Sequence, residues 1–297
     1  MANLKVTSGT IPFRGFETWY ERVGEGSGGK TPLLTLHGGP GALHNYLKSL
    51  DGIAADEARE VIYYDQLGCG KSSTPYLPEL WNIETYVAEI DAVREALGLD
   101  EIHILGQSWG GMLALEYVLR TAHKGVRSLV IASSLASIPL WAAEARRLIQ
   151  LMEPGHRDAI EAAIAADEYA APEFKEAAEE YVRRYECSLD PLPSFVAESF
   201  DNISPVYSHM WGPEEFVCTG TLQNWDITER LGEIDVPTLV TTGVQDEATP
   251  YIAKSISDGI VGARLELVPG THLCHVEHSD EYNALVENFL ALNDPKN

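Results

Sequence analysis

Short apolar runs alternate with amphipathic stretches through the first half of the chain. The runs TPLLTLHGG (31–39) and REVIYYDQLG (59–68) are bounded by turn-forming residues, which predicts two buried strands. The segment IETYVAEIDAVREAL (83–97) has apolar residues at helical spacing and ends at Gly98, a favourable residue just past a helix end. A helix between strands indicates a parallel sheet.

The alternation continues further along the chain. The segment EIHILGQSWGGMLALEYVLR (101–120) predicts a strand, a tight turn and an apolar helix, and RSLVIASS (127–134) predicts another strand. Two more strands are predicted in PTLVTTGVQD (237–246) and ARLELVPGTH (263–272), followed by an amphipathic final helix, DEYNALVENFLALN. This rhythm is typical of the α/β class, with a mostly parallel central sheet flanked by helices.

The pattern changes between about 138 and 222. Alanine- and glutamate-rich stretches such as WAAEARRLIQLM predict helices there, and strand-like runs are absent. We therefore predict a helical cap over residues 138–222, inserted into a core formed by residues 1–137 and 223–297. The cap is expected to cover the carboxyl edge of the sheet.

Candidate chemistry centres on GQSWG at 106–110, between a predicted strand and a predicted helix. A serine in such a turn is presented as a nucleophile, and the flanking glycines make room for the tight backbone. A serine hydroxyl needs a base and an orienting acid, which follow in the order acid, then histidine, in folds of this kind. Asp246 and His272 each follow a predicted strand, so Ser108, His272 and Asp246 are predicted as nucleophile, base and orienting acid.

Other histidines compete for these roles. His275 and His278 follow His272 at spacings of three, so HLCHVEH is an alternative metal site, although we assign no metal or other cofactor. Both are better explained as packing or surface residues near the last helix. His103 lies inside a predicted strand and is expected to be a hydrogen-bonded core histidine.

The loop HGGPG (37–41) follows the first predicted strand. Its backbone amides can approach a substrate closely, which suits an oxyanion hole, although a mere tight turn is the alternative. We predict the Gly39 and Trp109 N–H groups as the two donors, with Gly38 a near equal of Gly39. His37 is expected to brace the loop rather than to titrate.

Several segments together resemble one family of the α/β-hydrolase fold. They are HGGPG, DQLGCGKSS (65–73), GQSWGG, GPEEF (212–216), NWDIT (224–228) and GVQDEATP (243–250). The combination is similar to the proline iminopeptidases, including the tricorn-interacting aminopeptidases and related amino acid amidases. The resemblance implies a helical cap on an α/β-hydrolase core, with the resembling segments in the core and at the end of the cap.

The resemblance also implies an amine site. In that family two glutamates hold the free α-amino group of the substrate, and they correspond to Glu215 and Glu247 here, whose alternative explanation is solvated surface charge. A protonated amine in a partly dry pocket needs charged acceptors. Glu214 replaces the family's asparagine and could shift the anchor by one residue. Four aromatic residues either enclose an apolar substrate side chain or fill the cap core: Trp141, Tyr207, Trp211 and Phe216.

Composition and charge limit the classes of binding partner that the protein is expected to have. The net charge of −24, from 45 acidic and 21 basic residues, disfavours nucleic acid and anionic membrane surfaces. No apolar signal segment or membrane-spanning stretch is evident in the sequence, so a cytoplasmic location is expected. The four cysteines are scattered without a CxxC pair, which predicts free thiols.

These features favour a serine hydrolase that releases one N-terminal residue, proline or another small apolar residue, from short peptides or amino acid amides. The expected substrate is a small molecule or short peptide with a free amino group, and the oligomeric state is left open. The alternatives are a carboxylic-ester hydrolase or lactonase with the same triad, and, more remotely, a non-catalytic ligand receptor on a hydrolase scaffold.

Overall fold

A computed structural model describes residues 4–26, 29–55 and 59–295. In these ranges eight strands form one sheet in the order β1-β2-β4-β3-β5-β6-β7-β8. The strands are β1 (Val6–Phe13), β2 (Phe16–Val23), β3 (Leu33–Leu36), β4 (Val61–Tyr64), β5 (Ile102–Gln107), β6 (Val126–Ala132), β7 (Thr238–Gly243) and β8 (Arg264–Val268). The strands from β3 to β8 pair in parallel, and the β1–β2 hairpin joins β4 antiparallel.

Helices occupy both faces of this sheet and the long segment between β6 and β7. They are α1 (Ile83–Leu97), α2 (Trp109–Arg120), α3 (Ile138–Gln150), α4 (Pro154–Ala166), α5 (Pro172–Tyr181), α6 (Ser194–Asp201), α7 (Pro205–Met210), α8 (Pro250–Gly259), α9 (Cys274–Glu277) and α10 (Ser279–Asn293). A 3-10 segment, Asn45–Ala54, also packs against the sheet, and a π-helical turn, Val182–Glu186, continues α5. No helix in the described ranges combines the length and apolar character needed to cross a bilayer.

Side chains on the two faces of the sheet belong to two separate hydrophobic clusters. Along β5, Ile104 points into the cluster that includes α1 and α2, whereas Leu105 points into the cluster that includes α10. Along β6, Ile131 and Val130 alternate in the same way. Every second side chain of a strand points to the same face, so an uninterrupted apolar run is what a strand covered on both sides requires.

The predicted core elements are present with short adjustments at their ends. Helix α1 spans the predicted residues; the Asn82 side chain accepts from the Thr85 N–H at its start, and Gly98 adopts a left-handed φ of 67° at its end. The predicted α/β class and mostly parallel sheet are confirmed. The sequence analysis did not identify the β1–β2 hairpin or α8. In β1 only Ile11 and Phe13 are buried, so its apolar signal is weak.

The segment predicted as a cap contains α3 to α7, and its helices end at Met210. Beyond Met210 the chain turns at Gly212 and Pro213 and makes an isolated bridge between Glu214 and Val217. Helices α3, α4 and α5 share a hydrophobic cluster, whereas buried residues of α6 and α7 join the clusters of the sheet. The division of the chain at 138 and 222 stays a prediction.

Candidate active site

The site lies at the ends of two neighbouring strands, β3 and β5, whose connections lead to opposite sides of the sheet. These strands are neighbours, but β3 is followed by β4 on one side and β5 by β6 on the other. Such a switch point leaves a crevice at the carboxyl ends of the strands, where ligands bind in open α/β sheets. The loop containing Gly39 follows β3, and Ser108 directly follows β5.

Ser108 occupies a strained turn between β5 and α2. Its φ of 55° and ψ of −123° place a non-glycine residue in a region that L-residues rarely adopt. A side chain on Gly106 would overlap the Gly110 carbonyl, and one on Gly110 would overlap the Leu36 carbonyl. The two flanking glycines are therefore needed for the strand and helix to pack this closely, as the GxSxG pattern predicts.

Asp246 and His272 meet beside the sheet. His272 Nδ1 lies 2.8 Å from Asp246 Oδ1, and both residues are buried. Asp246 Oδ1 also accepts from the Ala248 N–H, and Oδ2 accepts from the Thr242 hydroxyl and the Gly243 N–H. These donors hold the carboxylate in one orientation, so His272 Nδ1 carries the proton and Nε2 is left as a base.

The local charges support a basic His272. Burial alone disfavours the imidazolium, but the adjacent Asp246 carboxylate outweighs it, with Glu215 and Glu186 adding to the effect, and the pKa of His272 is raised above 6.5. Ser108 and His272 line one cavity of about 400 Å³, which has the size of a small-molecule site.

The two glycines proposed for the oxyanion hole differ in their hydrogen bonds. The Gly38 N–H donates to the Tyr46 hydroxyl at 2.7 Å, and that hydroxyl donates to Gln107 Oε1 at 2.6 Å. Gly39 lines the cavity, and its N–H has no hydrogen-bond partner among the described residues. The Trp109 N–H begins α2, where backbone donors lack partners within the helix. This arrangement favours Gly39 over Gly38.

His37 fixes this loop from behind. Its Nε2 accepts from the Gln66 N–H at 3.0 Å, and its Nδ1 contacts the Gly38 carbonyl at 2.9 Å. Complete burial lowers the pKa of His37, so the ring is neutral and donates through Nδ1. Its predicted role as a brace is confirmed by these two contacts.

His103 and His275 have structural roles. His103 contacts the Ser128 hydroxyl and Asp294, and burial lowers its pKa to about 4, which confirms a hydrogen-bonded core histidine. His275 packs between Tyr46 and Tyr282, and burial lowers its pKa to about 3. In the described chain, the group of three side chains that could hold a metal ion contains only glutamates, so the structure does not assemble HLCHVEH into a ligand set.

Both predicted amine-binding glutamates reach the cavity. Glu215 lies after α7, where its Oε2 accepts from the Tyr207 hydroxyl at 2.7 Å. Glu247 follows Asp246 and is almost wholly buried, with 1% of its surface exposed. Glu214 also lines the cavity but is not part of the group of close carboxylates formed by Glu186, Glu215 and Glu247.

Sequence reasoning missed a third carboxylate, Glu186. One oxygen from each of Glu186, Glu215 and Glu247 lies within 4.8 Å of the others. Burial, and then the charge of Glu215, raise the pKa of Glu186 to about 8. Glu186 stands in a charged helical segment without any motif, and only the π-helical turn at the end of α5 brings it to the cavity.

The same turn ties the cap segment to the catalytic loops. The Tyr185 carbonyl accepts from the N–H groups of Glu247 and His272, and the Glu186 carbonyl accepts from the Leu273 N–H.

Of the aromatic residues proposed for the pocket, Tyr207 and Phe216 line the cavity. Trp141 and Trp211 are buried against each other with ring centroids 5.5 Å apart.

Comparisons with known proteins give the class first. Residues 31–279 match the family model described as alpha/beta hydrolase fold, so the protein is a hydrolase of that class. The proline iminopeptidase of Clostridioides difficile (strain 630) is 41% identical over 295 residues, covering 98% of this chain and 100% of that protein. The chain belongs to the proline iminopeptidase family.

Solved structures agree with this assignment. The Mycobacterium smegmatis proline iminopeptidase superposes with a TM-score of 0.90 at 37% identity, covering 97% of this chain and 98% of that one. The structure of VinJ superposes with a TM-score of 0.91 at 34% identity, covering 97% and 99%. The resemblance inferred from the sequence motifs is confirmed.

Proposed function

We propose that this protein is a serine aminopeptidase that releases N-terminal proline, or another small apolar residue, from short peptides or amino acid amides. One observation carries the proposal: the cavity that holds Ser108 and His272 is also lined by the carboxylates of Glu247, which is buried, and Glu215, which is half-buried. A nucleophile alone would serve any acyl substrate, whereas the carboxylates favour one with a cationic amine beside the scissile carbonyl. The relatives named proline iminopeptidase support the same activity.

The proposed mechanism starts with the Ser108 hydroxyl. His272 Nε2 takes its proton as Ser108 Oγ attacks the substrate carbonyl, and Asp246 stabilises the imidazolium that forms. The N–H groups of Gly39 and Trp109 donate to the oxyanion. His272 then protonates the leaving amine. Water next attacks the acyl-enzyme with His272 as the base, and His272 returns the proton to Ser108 Oγ as the amino acid is released.

Binding of the substrate amine would place the scissile bond. Glu215 and Glu247 hold the ammonium group, and Tyr207 and Phe216 lie against the substrate side chain. The net charge of −24 adds a long-range attraction for cationic substrates. The enzyme is expected to need no cofactor and to act in the cytoplasm.

The test compares free-amine and blocked substrates. Rates are measured on prolyl, alanyl and phenylalanyl p-nitroanilides, on their N-acetyl counterparts and on p-nitrophenyl acetate, with wild type and Ser108→Ala. We expect activity on free amines to exceed that on blocked amides, and the variant to lose on the order of 10⁶-fold, as triad serine removal does in subtilisin. Equal rates on free and blocked amides, with fast acetate hydrolysis, would support an esterase instead.

A further inference from the structure

A second cavity, of about 740 Å³, lies in the cap segment beside the active-site cavity that contains Ser108. Residues of α5, of the π-helical turn, of the loop that follows this turn and of α6 line the second cavity, which we call the cap cavity. Four residues line both cavities: Ala178, Val182, Phe200 and Glu214. A ligand that outgrows the active-site cavity would therefore extend into the cap cavity.

The active-site cavity is enclosed at one end and open at the other. Glu247 and His272 are buried, whereas Val182 and Phe200 are half-buried and Ile203, just beyond α6, is 42% exposed. The cavity thus opens beside α5 and the end of α6, where it meets the cap cavity. In the proposed function the substrate amine lies at the enclosed end, so the part of the substrate beyond the scissile bond extends towards the open end.

The wall of the cap cavity offers apolar contacts. Phe174 is buried, and Leu189 and Leu192 are half-buried, so an apolar ligand group in this cavity would remove further apolar surface from water. Exposed residues of both charges, among them Lys175 and Asp190, also line the cavity. The contacts therefore favour an apolar group over a group of one particular charge, and the volume is in the range of small-molecule sites.

The position of the cap cavity suits the residue that follows the scissile bond. In the proposed mechanism this residue leaves as an amine, and it lies on the open side of the active-site cavity. We propose that the cap cavity is a subsite for an apolar side chain of this residue, so that the enzyme favours substrates with a large apolar second residue over those with glycine there. This inference rests on the proposed aminopeptidase function and extends it to the second residue of the substrate.

The experiment varies only the second residue of the substrate. Values of kcat/KM are measured for prolyl-leucinamide and prolyl-glycinamide, together with their alanyl counterparts. Both members of each pair form the same acyl-enzyme, so their ratio reports contacts on the leaving side. Because burial of a leucine-sized side chain in an apolar pocket is involved, we expect the leucyl substrate to be favoured by roughly tenfold or more.

Two variants change the cap cavity in different ways. Ala197→Trp on α6 should fill it and bring the ratio of leucyl to glycyl substrate close to one. Leu189→Asn keeps the side-chain size but makes the wall polar, and should lower the ratio by roughly threefold or more. Ser194→Trp places the same indole at an exposed position of α6 and is the matched control, which should keep the wild-type ratio. Turnover of prolinamide, whose leaving group is ammonia, reports the fold and nucleophile of each variant.

A second measurement on the wild type reverses the leaving step. Prolinamide supplies the acyl group, and an added amine attacks the acyl carbonyl on Ser108. His272 takes the proton of the amine and returns it to Ser108 Oγ, which leaves as a dipeptide amide forms. A subsite for the leaving residue should let leucinamide capture the acyl group roughly tenfold more efficiently than glycinamide.

The outcomes separate this inference from the proposed function. Equal kcat/KM values for the leucyl and glycyl substrates, or a leucyl preference that Ala197→Trp and Leu189→Asn leave intact, would overturn the subsite alone. Equal capture by leucinamide and glycinamide would also overturn it. Equal rates on the dipeptide amides and their N-acetyl counterparts would instead overturn the aminopeptidase proposal itself.

Discussion

Asp246 and Glu247 are adjacent in the chain and equally buried, each with 1% of its surface exposed, yet their surroundings are opposite. The two oxygens of Asp246 receive hydrogen bonds from Thr242, Gly243, Ala248 and His272. The oxygens of Glu247 receive none from the described residues. One carboxylate is held by the protein, and the other is the acceptor that the proposed function assigns to the substrate amine.

In the proposed function, this contrast distinguishes a positioning group, Asp246, from a binding group, Glu247. A satisfied buried carboxylate is rigid, which is what an acid that orients a catalytic histidine requires. An unsatisfied one destabilises the free protein, and the cost is recovered only when a cationic ligand arrives. Each of the following tests addresses either the orienting acid or the proposed amine site.

The largest effect is expected for Asp246→Asn. An asparagine amide would direct an NH₂ group at donors that now face a carboxylate, so His272 would lose the tautomer with a basic Nε2. We expect kcat to fall by about 10⁴-fold on prolyl p-nitroanilide and p-nitrophenyl acetate alike, as for the equivalent aspartate change in a serine protease. A loss confined to the amine substrate would contradict the orienting role.

A smaller and more selective effect is expected for Glu247→Gln. Loss of one charged acceptor should lower kcat/KM for prolyl p-nitroanilide by roughly 10- to 100-fold, while acetate hydrolysis is spared. Glu176→Gln serves as the matched control for the loss of one negative charge. An equal loss on both substrates would mean that Glu247 supports the nucleophile instead of the amine.

The same variant should be more stable than wild type. The folded-state pKa of Glu247 is raised well above its unfolded value by burial and by Glu215. Protons are therefore held more tightly in the folded state, and wild-type stability falls as pH rises from about 4.3 towards the folded pKa. At pH 8 we expect Glu247→Gln to gain on the order of 1–3 kcal/mol in urea unfolding, with little gain at pH 4.

The pH dependence should also distinguish the two carboxylate regions. Because the pKa of His272 is raised above 6.5, acetate hydrolysis should rise about tenfold per pH unit below that pKa and then level off. Prolyl p-nitroanilide hydrolysis should in addition decline above about pH 8, where the substrate amine loses its proton. Superimposable profiles for the two substrates would contradict an ionic amine site.

The smallest effect is expected for Glu214→Asn, which restores the residue typical of the family. Glu214 is half-buried and lies outside the group formed by Glu186, Glu215 and Glu247. We expect less than about a threefold change in kcat/KM for prolyl p-nitroanilide, an amount worth under 1 kcal/mol. A tenfold loss would move the amine anchor to Glu214.

The core could be predicted from sequence because its signals are local. Buried parallel strands appear as continuous apolar runs, α1 has its capping residues at both ends, and the turn at Ser108 is marked by glycines on either side. The loops that follow these strands converge at one edge of the sheet, so Ser108, Asp246 and His272 could be proposed as one site. The β1–β2 hairpin lacks such signals, because most of its side chains are exposed or half-buried and no continuous apolar run results.

The proposed amine site shows the limit of local signals. Glu215 and Glu247 were found through family motifs, whereas Glu186 has neither a motif nor periodicity that distinguishes it from the many glutamates of the cap. The choice between Gly38 and Gly39 likewise depended on a hydrogen bond from Gly38 to Tyr46, eight residues away. Neither feature is a property of a short segment.

The sequence by itself therefore determined the fold class, most of the core elements in their order, and the proposed nucleophile, base and acid. These depend on hydrophobic periodicity, on tight turns that need glycine and on strand-end positions. All three can be recognised in short segments of the sequence. Only the tertiary structure decided which acidic side chains meet and which are left without partners. Burial and hydrogen-bond satisfaction arise from contacts between distant segments, and here a π-helical turn of the cap must dock on the loops after β7 and β8 before Glu186 reaches Glu215 and Glu247.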